Sequence, residues 1–410
     1  MTNNKERTLR VNEERAMKED FLTYQAQTTP HPYFVEAKYA EGSYIYDTAG
    51  KAYLDFISGV SACNLGHRPP KVIQAIKHQL DQYMHVMVYG EFAQYPAVEF
   101  CRLLAENLPH PLEKTYLVNS GTEAIDGAMK LARRATGRTQ IIAAKDAYHG
   151  NSYGALSLMD YEERIAPFRP MVGDITHIQF NNENCLSTIT ENTAAVVLET
   201  IQGGAGFIEP KDDYLQKVAA RCKEVGALFI LDEIQPGFGR TGKLFGFEHY
   251  GVIPDILVIG KSMASGIPVG AFTASKELMD LLSDKPKLGH ITTFGGNPVV
   301  ASAALATLQS ILSDGIMKSI GWKEKCIREN LVHPYIKEIR GRGLMLALIL
   351  ESDELATHLV LNAKDKGLIL FWLLYEKKAV RITPPLNISE KDLKKGCKVI
   401  LDILDHKNVN

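Results

Sequence analysis

The sequence predicts an α/β fold with a mostly parallel sheet, and three observations carry that expectation. Short apolar runs alternate with amphipathic stretches through the middle of the chain. The runs lack period-two alternation, which suits strands buried on both faces. Each run gives way to a polar, charged or glycine residue, and in such sheets ligands gather at the carboxyl ends of the strands.

The elements follow in chain order. The first 60 residues contain "GSYIYDTAGKAYLDF" (42–56), which reads as a hairpin. Five apolar runs come next: "TYLVN" (115–119), "QIIAA" (140–144), "AAVVLE" (194–199), "ALFILD" (227–232) and "ILVIG" (256–260). Between them, "TEAIDGAMKLARRA" (122–135) and "DYLQKVAARCKEVG" (213–226) have helical patterning, the second ending in Gly226, a helix C-cap residue. From about residue 299 the character changes, to helical patterns and then to segments such as "VHPYIKEIRGRGLMLALIL" and "KAVRITPPL", which suit a smaller α+β unit. The expected organisation is therefore a large domain over 61–298 and a smaller α+β unit made from 1–60 and 299–410.

Bulk composition narrows the function classes. With 410 residues the chain has ample length for a buried core. Its 45% apolar and 23% charged residues and net charge of −2 give no electrostatic reason to expect nucleic acid or an anionic membrane as partner. No apolar stretch reaches the roughly 18 residues of a membrane span. The polar start "MTNNKERTLRVNEERAMKED" does not read as a secretory signal. The six cysteines lie far apart without a C-x-x-C pair, so neither a disulfide framework nor a metal site is expected, and a cytoplasmic location is.

Four run ends then draw attention: Ser120-Gly121-Thr122, Glu199, Asp232 and Lys261. "GKS" after "DILVI" imitates the end of a nucleotide phosphate loop, but the four residues before Gly260 must be strand, and backbone tied into a sheet cannot wrap a triphosphate. "GFGRTG" (237–242) formally matches a dinucleotide fingerprint, yet "EIQP" separates it from the preceding strand and no helical pattern follows. "NSGTEA" (119–124) fits a capping box through Ser120 and Glu123, and its helix N-terminus also offers free N–H groups to an anion. Lys261 is either a strand-end lysine reaching water or an amine whose pKa falls on burial, making it a nucleophile toward carbonyls. Asp232, buried at a strand end, calls for a cationic partner. A lysine, an aspartate and a helix N-terminus are what pyridoxal 5'-phosphate requires.

With these residues the chain resembles the class III pyridoxal-phosphate-dependent aminotransferases, the group of ornithine, acetylornithine, 4-aminobutyrate and putrescine aminotransferases. The resemblance runs from "YIYDTAGKAYLDFISGVSACNLGH" (44–67) through "NSGTEA", "YHG" (148–150), "DEIQPGFGRTGKLFGFEHYGVIPDILVIGKSMASGIPVGA" and "TTFGGNP" (292–298) to "VRITPPL" (380–386). It implies fold type I, with a seven-stranded sheet flanked by helices. It also implies a Schiff base on Lys261, Asp232 on the ring nitrogen, and Gly121 and Thr122 on the phosphate with Ser120 beside them. Tyr148 would stack on the ring next to His149, Gln235 would lie near the phenolic oxygen, and Glu199 would support the site. Thr293 would reach the phosphate of a neighbouring subunit in a homodimer, and Arg381 would bind a substrate carboxylate. The implied reaction moves an amino group from an amine or amino acid, an ω-amino or related donor, to a 2-oxo acid. A racemase or epimerase of the same fold would keep the same cofactor residues.

Three positions depart from the family pattern. Gly204 in "QGGAG" stands where many members carry a glutamate that pairs with the carboxylate-binding arginine. Asn151 follows "YHG" where an arginine often grips a distal carboxylate, and Pro236 replaces a small polar residue. The sequence thus leads us to expect Arg381 to be permanently available, and pyruvate to be a better acceptor than 2-oxoglutarate.

Overall fold

The computed structural model describes residues 17–406. Most of the polar N-terminal stretch read above lies outside them. The first strands of the described chain are β1 (Ala37–Glu41), β2 (Tyr44–Asp47) and β3 (Ala52–Asp55). The apolar runs become β4 (Lys114–Val118), β5 (Gln140–Ala144), β7 (Thr193–Glu199), β8 (Leu228–Asp232) and β9 (Ile256–Gly260), joined by β6 (Ile175–Ile178) and β10 (Gly270–Ala274). These seven form one sheet in the order β4-β10-β9-β8-β7-β5-β6. Only β10 runs antiparallel to its neighbours, so the carboxyl ends of β4, β5, β7, β8 and β9 share one edge.

Burial on both faces explains why the runs are continuously apolar. Leu257 and Ile259 of β9 enter one core with Leu198 and Leu231, while Val258 enters another with Val197 and Ile230. Every residue of β7, β9 and β10 is buried. Helix α1 (Gly121–Thr136) covers the second face with Ile125, Ala128 and Met129. Helix α2 (Tyr214–Val225) covers the first with Leu215 and Val218, and ends at Gly226 in the left-handed region at φ 69°. Helix α3 (Pro298–Ser313) starts on an Asn297 cap and also packs in the first core through Ala303, Ala304, Leu308 and Ile311. The change of sequence character near residue 299 is therefore not a break in packing.

The rest of the chain builds two four-stranded sheets. The "GSYIYDTAGKAYLDF" hairpin is β2 and β3, paired antiparallel. β3 pairs in parallel with β13 (Leu368–Ile369), which ties the two ends of the chain into one sheet, β1-β2-β3-β13. The other sheet contains β11 (Ile336–Arg342), β12 (Met345–Leu350), β14 (Phe371–Trp372) and β15 (Ala379–Ile382), in the order β11-β12-β15-β14. Leu54 and Phe56 share a core with Leu346, Val380 and Ile400. Arg240, within "GFGRTG", is fully buried and donates to the carbonyls of Leu344 and Pro384 and to Ser58 Oγ. That motif therefore joins distant segments of the chain.

Candidate active site

The sheet order sets three ionisable residues side by side. β8 lies between β7 and β9, and Glu199 is the register partner of Asp232. Lys261 follows β9 directly, at φ 45°. That left-handed backbone costs a non-glycine residue roughly 1–2 kcal/mol. The strain turns the lysine out of the strand direction, into a cavity of about 300 Å³. Gly121, Thr122, Tyr148, His149, Glu199, Asp232, Gln235 and Lys261 all border this cavity.

Each carboxylate is anchored from behind. Asp232 is 3% exposed; its Oδ2 lies 2.8 Å from His149 Nδ1, and its Oδ1 accepts from Ile234 N at 2.9 Å. Burial alone would lower the imidazole's pKa, but the hydrogen bond and charge of Asp232 outweigh it and raise the value. His149 Nε2 is buried without a partner among the described residues. Glu199 accepts from Gly203 N at 2.9 Å and Tyr148 N at 3.2 Å. Burial still pushes its pKa up to about 7. Desolvation lowers Lys261 to about 8, against the opposing pull of Asp232. At pH 7 about a tenth of this amine is therefore unprotonated, far more than for a solvated lysine.

At the α1 end, Ser120 Oγ accepts from Glu123 N at 3.3 Å, one half of the expected capping box. The other half is displaced by one residue: the Glu123 carboxylate accepts from Asn119 N at 2.7 Å and Asn119 Nδ2 at 3.0 Å. Ser120 thus spends its side chain on the cap and does not border the cavity. Thr122 Oγ1 accepts from Ser152 N at 2.9 Å. The first-turn N–H groups have no intrahelical acceptor and carry the positive end of the helix dipole. Gly121 allows close approach there, because a Cβ would lie 2.7 Å from Ile234 Cδ1. Thr293 is exposed and does not border the cavity; its neighbour Thr292 accepts from Asn119 Nδ2 at 2.8 Å.

A second cavity of about 430 Å³ adjoins the first and shares Tyr148, Asn151, Glu199, Gln235 and Lys261 with it. Arg381 of β15 lies on its wall, 8% exposed. Its Nε and Nη1 are buried without partners among the described residues, its guanidinium carbon is 5.5 Å from the Phe207 ring centre, and burial lowers its pKa to about 10. It stays charged at neutral pH. Gly204 borders the same cavity. A Cβ on Gly204 would lie 2.7 Å from the Tyr375 ring, and the backbone N–H of Tyr375 donates to Gly204 O at 3.0 Å. The aromatic ring fills the space into which a side chain at position 204 would extend.

Several bordering residues were not singled out from sequence. Val60, Phe371, Trp372, Leu373 and Leu374 give the second cavity an apolar wall, and Arg164 sits at its rim. Phe371 is the register partner of Arg381. The aromatic pair in "LILFWLL" was the available signal, but the pairing that turns it toward the site is not visible in a linear sequence.

An enclosed lysine beside an anchored buried aspartate, with a glycine-lined helix N-terminus, fits pyridoxal phosphate. On the carboxyl edge of a mixed seven-stranded sheet, it defines a pyridoxal-phosphate-dependent enzyme of fold type I. Residues 24–404 match the class III aminotransferase family. The acetylornithine aminotransferase of Caldanaerobacter subterraneus is 36% identical over 377 residues, covering 89% of this chain and 93% of the relative. That of Bacillus subtilis is 35% identical over 379 residues, covering 91% and 95%. A crystal structure of Toxoplasma gondii ornithine aminotransferase, with partial occupancy of PLP, superposes with a TM-score of 0.88 at 29% identity, over 96% of this chain and 95% of that one. The chain belongs to the class III aminotransferase family and is a transaminase. Nothing among these relatives supports the racemase alternative.

Proposed function

We propose that Lys261 is the amine that binds the cofactor and then carries the proton, in a transamination between a carboxylate-bearing amine and a 2-oxo acid. The observation carrying this reading is the lysine itself, enclosed, depressed to about 8 and flanked by Asp232 and Glu199 on adjoining strands. Bound pyridoxal phosphate supplies the sink for the electron pair left when a substrate carbon loses its proton. Asp232, fixed by His149 and Ile234 N, is the group that keeps the ring nitrogen protonated. Gly121, Thr122 and the start of α1 take the phosphate, with Ser120 stabilising that turn. Tyr148 covers the ring, and Gln235 and Glu199 orient it. Arg381 takes the substrate carboxylate, and the neutral amine of Lys261 accepts and returns the proton. The relatives' names make acetylornithine and ornithine the first donors to test, both of which carry an amine remote from a carboxylate.

The same reading extends to assembly and location. Met84, Phe92, Tyr95, Val98 and Phe294 are all more than half exposed. Asn297 Nδ2 donates to Met84 O at 3.1 Å, and the rings of His85 and Phe294 lie 5.0 Å apart, so two of these segments adjoin. An apolar surface of this kind suits a homodimer interface, with Thr293, next to Phe294, turned to the neighbour's phosphate. The described cysteines are all free, which suits the cytoplasm, and no single helix among the described residues is long and apolar enough to cross a membrane.

The test is the visible absorbance of the holoenzyme during addition of a panel of amines, run beside Lys261→Ala. Productive donors should bleach the wild-type band. The variant should lose roughly 10²–10⁴-fold in half-reaction rate. A variant that transaminates at the wild-type rate overturns the assignment.

A further inference from the structure

We propose that Arg164 is a specificity-determining residue, a second anion receptor that selects substrates with a carboxylate at each end. The inference rests on the reading above, in which Arg381 holds the first carboxylate. Arg164 lies in the short helix Glu162–Ile165 and borders the same cavity as Arg381.

Three acidic residues flank Arg164 in sequence, yet each is occupied elsewhere. Glu162 is held by Arg169 through two contacts, at 2.5 and 2.6 Å. Asp160 accepts from Asp146 N at 2.8 Å. Glu163 accepts from Tyr161 Oη at 3.5 Å. Arg164 makes no ion pair among the described residues. Its guanidinium carbon lies 5.8 Å from the centre of the Tyr161 ring, which packs on Tyr375 at 5.1 Å. Arg169, five residues on, shows what a surface arginine here does when a carboxylate is within reach.

The cavity thus presents two guanidiniums, one buried with two open nitrogens and one exposed at the rim. Lys261 is reserved for the cofactor, and among the described residues Glu199 is the one acidic group on the wall. Asn151 adds no charge and donates to Tyr148 Oη at 3.2 Å. A planar guanidinium recognises a carboxylate through paired N–H donors. A 2-oxo dicarboxylate would engage both arginines, and a 2-oxo monocarboxylate only Arg381. Under this proposal 2-oxoglutarate is favoured over pyruvate, the opposite of the acceptor preference expected from sequence.

The test combines binding and turnover on the holoenzyme. Calorimetric titration with glutarate, a dicarboxylate that cannot react, is compared with butyrate for wild type, Arg164→Gln and Arg164→Lys. Half-reactions of the pyridoxamine form are followed with 2-oxoglutarate and pyruvate. Arg164→Gln should weaken glutarate binding and raise the KM for 2-oxoglutarate about five- to tenfold, an effect moderated by the residue's exposure. Butyrate, pyruvate and kcat should be unchanged, and Arg164→Lys should recover part of the loss. Unchanged glutarate affinity in Arg164→Gln, or equal shifts for dicarboxylates and monocarboxylates, overturns the proposal. Failure of the underlying reading looks different: Arg381→Gln would then leave pyruvate and butyrate unaffected, whatever Arg164 does to glutarate.

Discussion

The two adjoining cavities are built on opposite plans. In the first, the polar wall is largely satisfied from within: Asp232 by His149 and Ile234 N, Glu199 by two backbone N–H groups, Thr122 by Ser152. In the second, the chief polar groups are cations left open, with two nitrogens on buried Arg381 and the guanidinium of Arg164 without ion pairs among the described residues. A wall satisfied in advance holds its shape and suits a group that stays. The open, desolvated donors of Arg381 cost free energy until an anion arrives, which suits a ligand that comes and goes.

The largest expected effect separates the two walls. Arg381→Gln should raise the KM for 2-oxo acids by about 10- to 150-fold, the equivalent of the ~1.5–3 kcal/mol of a charge-assisted hydrogen bond. Cofactor content, read from visible absorbance, should stay at the wild-type level. Loss of cofactor together with substrate affinity would show that the walls are one unit and break the contrast.

The same division decides what could be read from sequence. Lys261, Asp232, Glu199 and Thr122 sit at or just beyond strand ends, so hydrophobic runs locate them and sheet topology brings them together. Their setting depends only on the order of parallel strands, which local patterning reflects. The left-handed backbone of Lys261 was not legible, because a lysine gives no sign of positive φ. Ser120 and Glu123 were recognised as a cap, but the one-residue displacement toward Asn119 depends on local backbone geometry. The second cavity joins residues from 60, 164, 204, 371–374 and 381, which no linear pattern links. There, resemblance supplied Arg381 and drew attention to Asn151 and Gly204, and Arg164 and Tyr375 emerged only from tertiary packing.

The next effect probes the first wall. Uptake of pyridoxal phosphate by cofactor-free protein requires the neutral amine of Lys261. With its pKa lowered to about 8, the ammonium form predominates below that pH and the amine above it. The uptake rate should therefore rise roughly tenfold per pH unit approaching pH 8 and flatten beyond it. A solvated lysine would keep gaining rate to about pH 10.4. Glu199, lifted to about 7, titrates nearby, so Glu199→Gln is measured in parallel. A plateau near 8 in both proteins assigns the profile to Lys261, and a rate still climbing at pH 9 contradicts the enclosed amine.

The smallest effect tests why the second wall lacks a carboxylate at position 204. Gly204 is not at positive φ, so an alanine there meets a steric problem and not a backbone one. Its Cβ would lie 2.7 Å from both Cδ2 and Cε2 of Tyr375, whose hydroxyl is tied to Ala147 O at 3.2 Å. The ring must therefore move or the backbone must shift. Gly204→Ala should cost about 1 kcal/mol in thermal or denaturant unfolding, the low end for overpacking. Combining it with Tyr375→Leu isolates the contact, because touching residues depart from additivity. The alanine should cost less in the leucine background than in wild type. If the two losses simply add, the ring does not restrict position 204, and a glutamate would be sterically admissible beside Arg381.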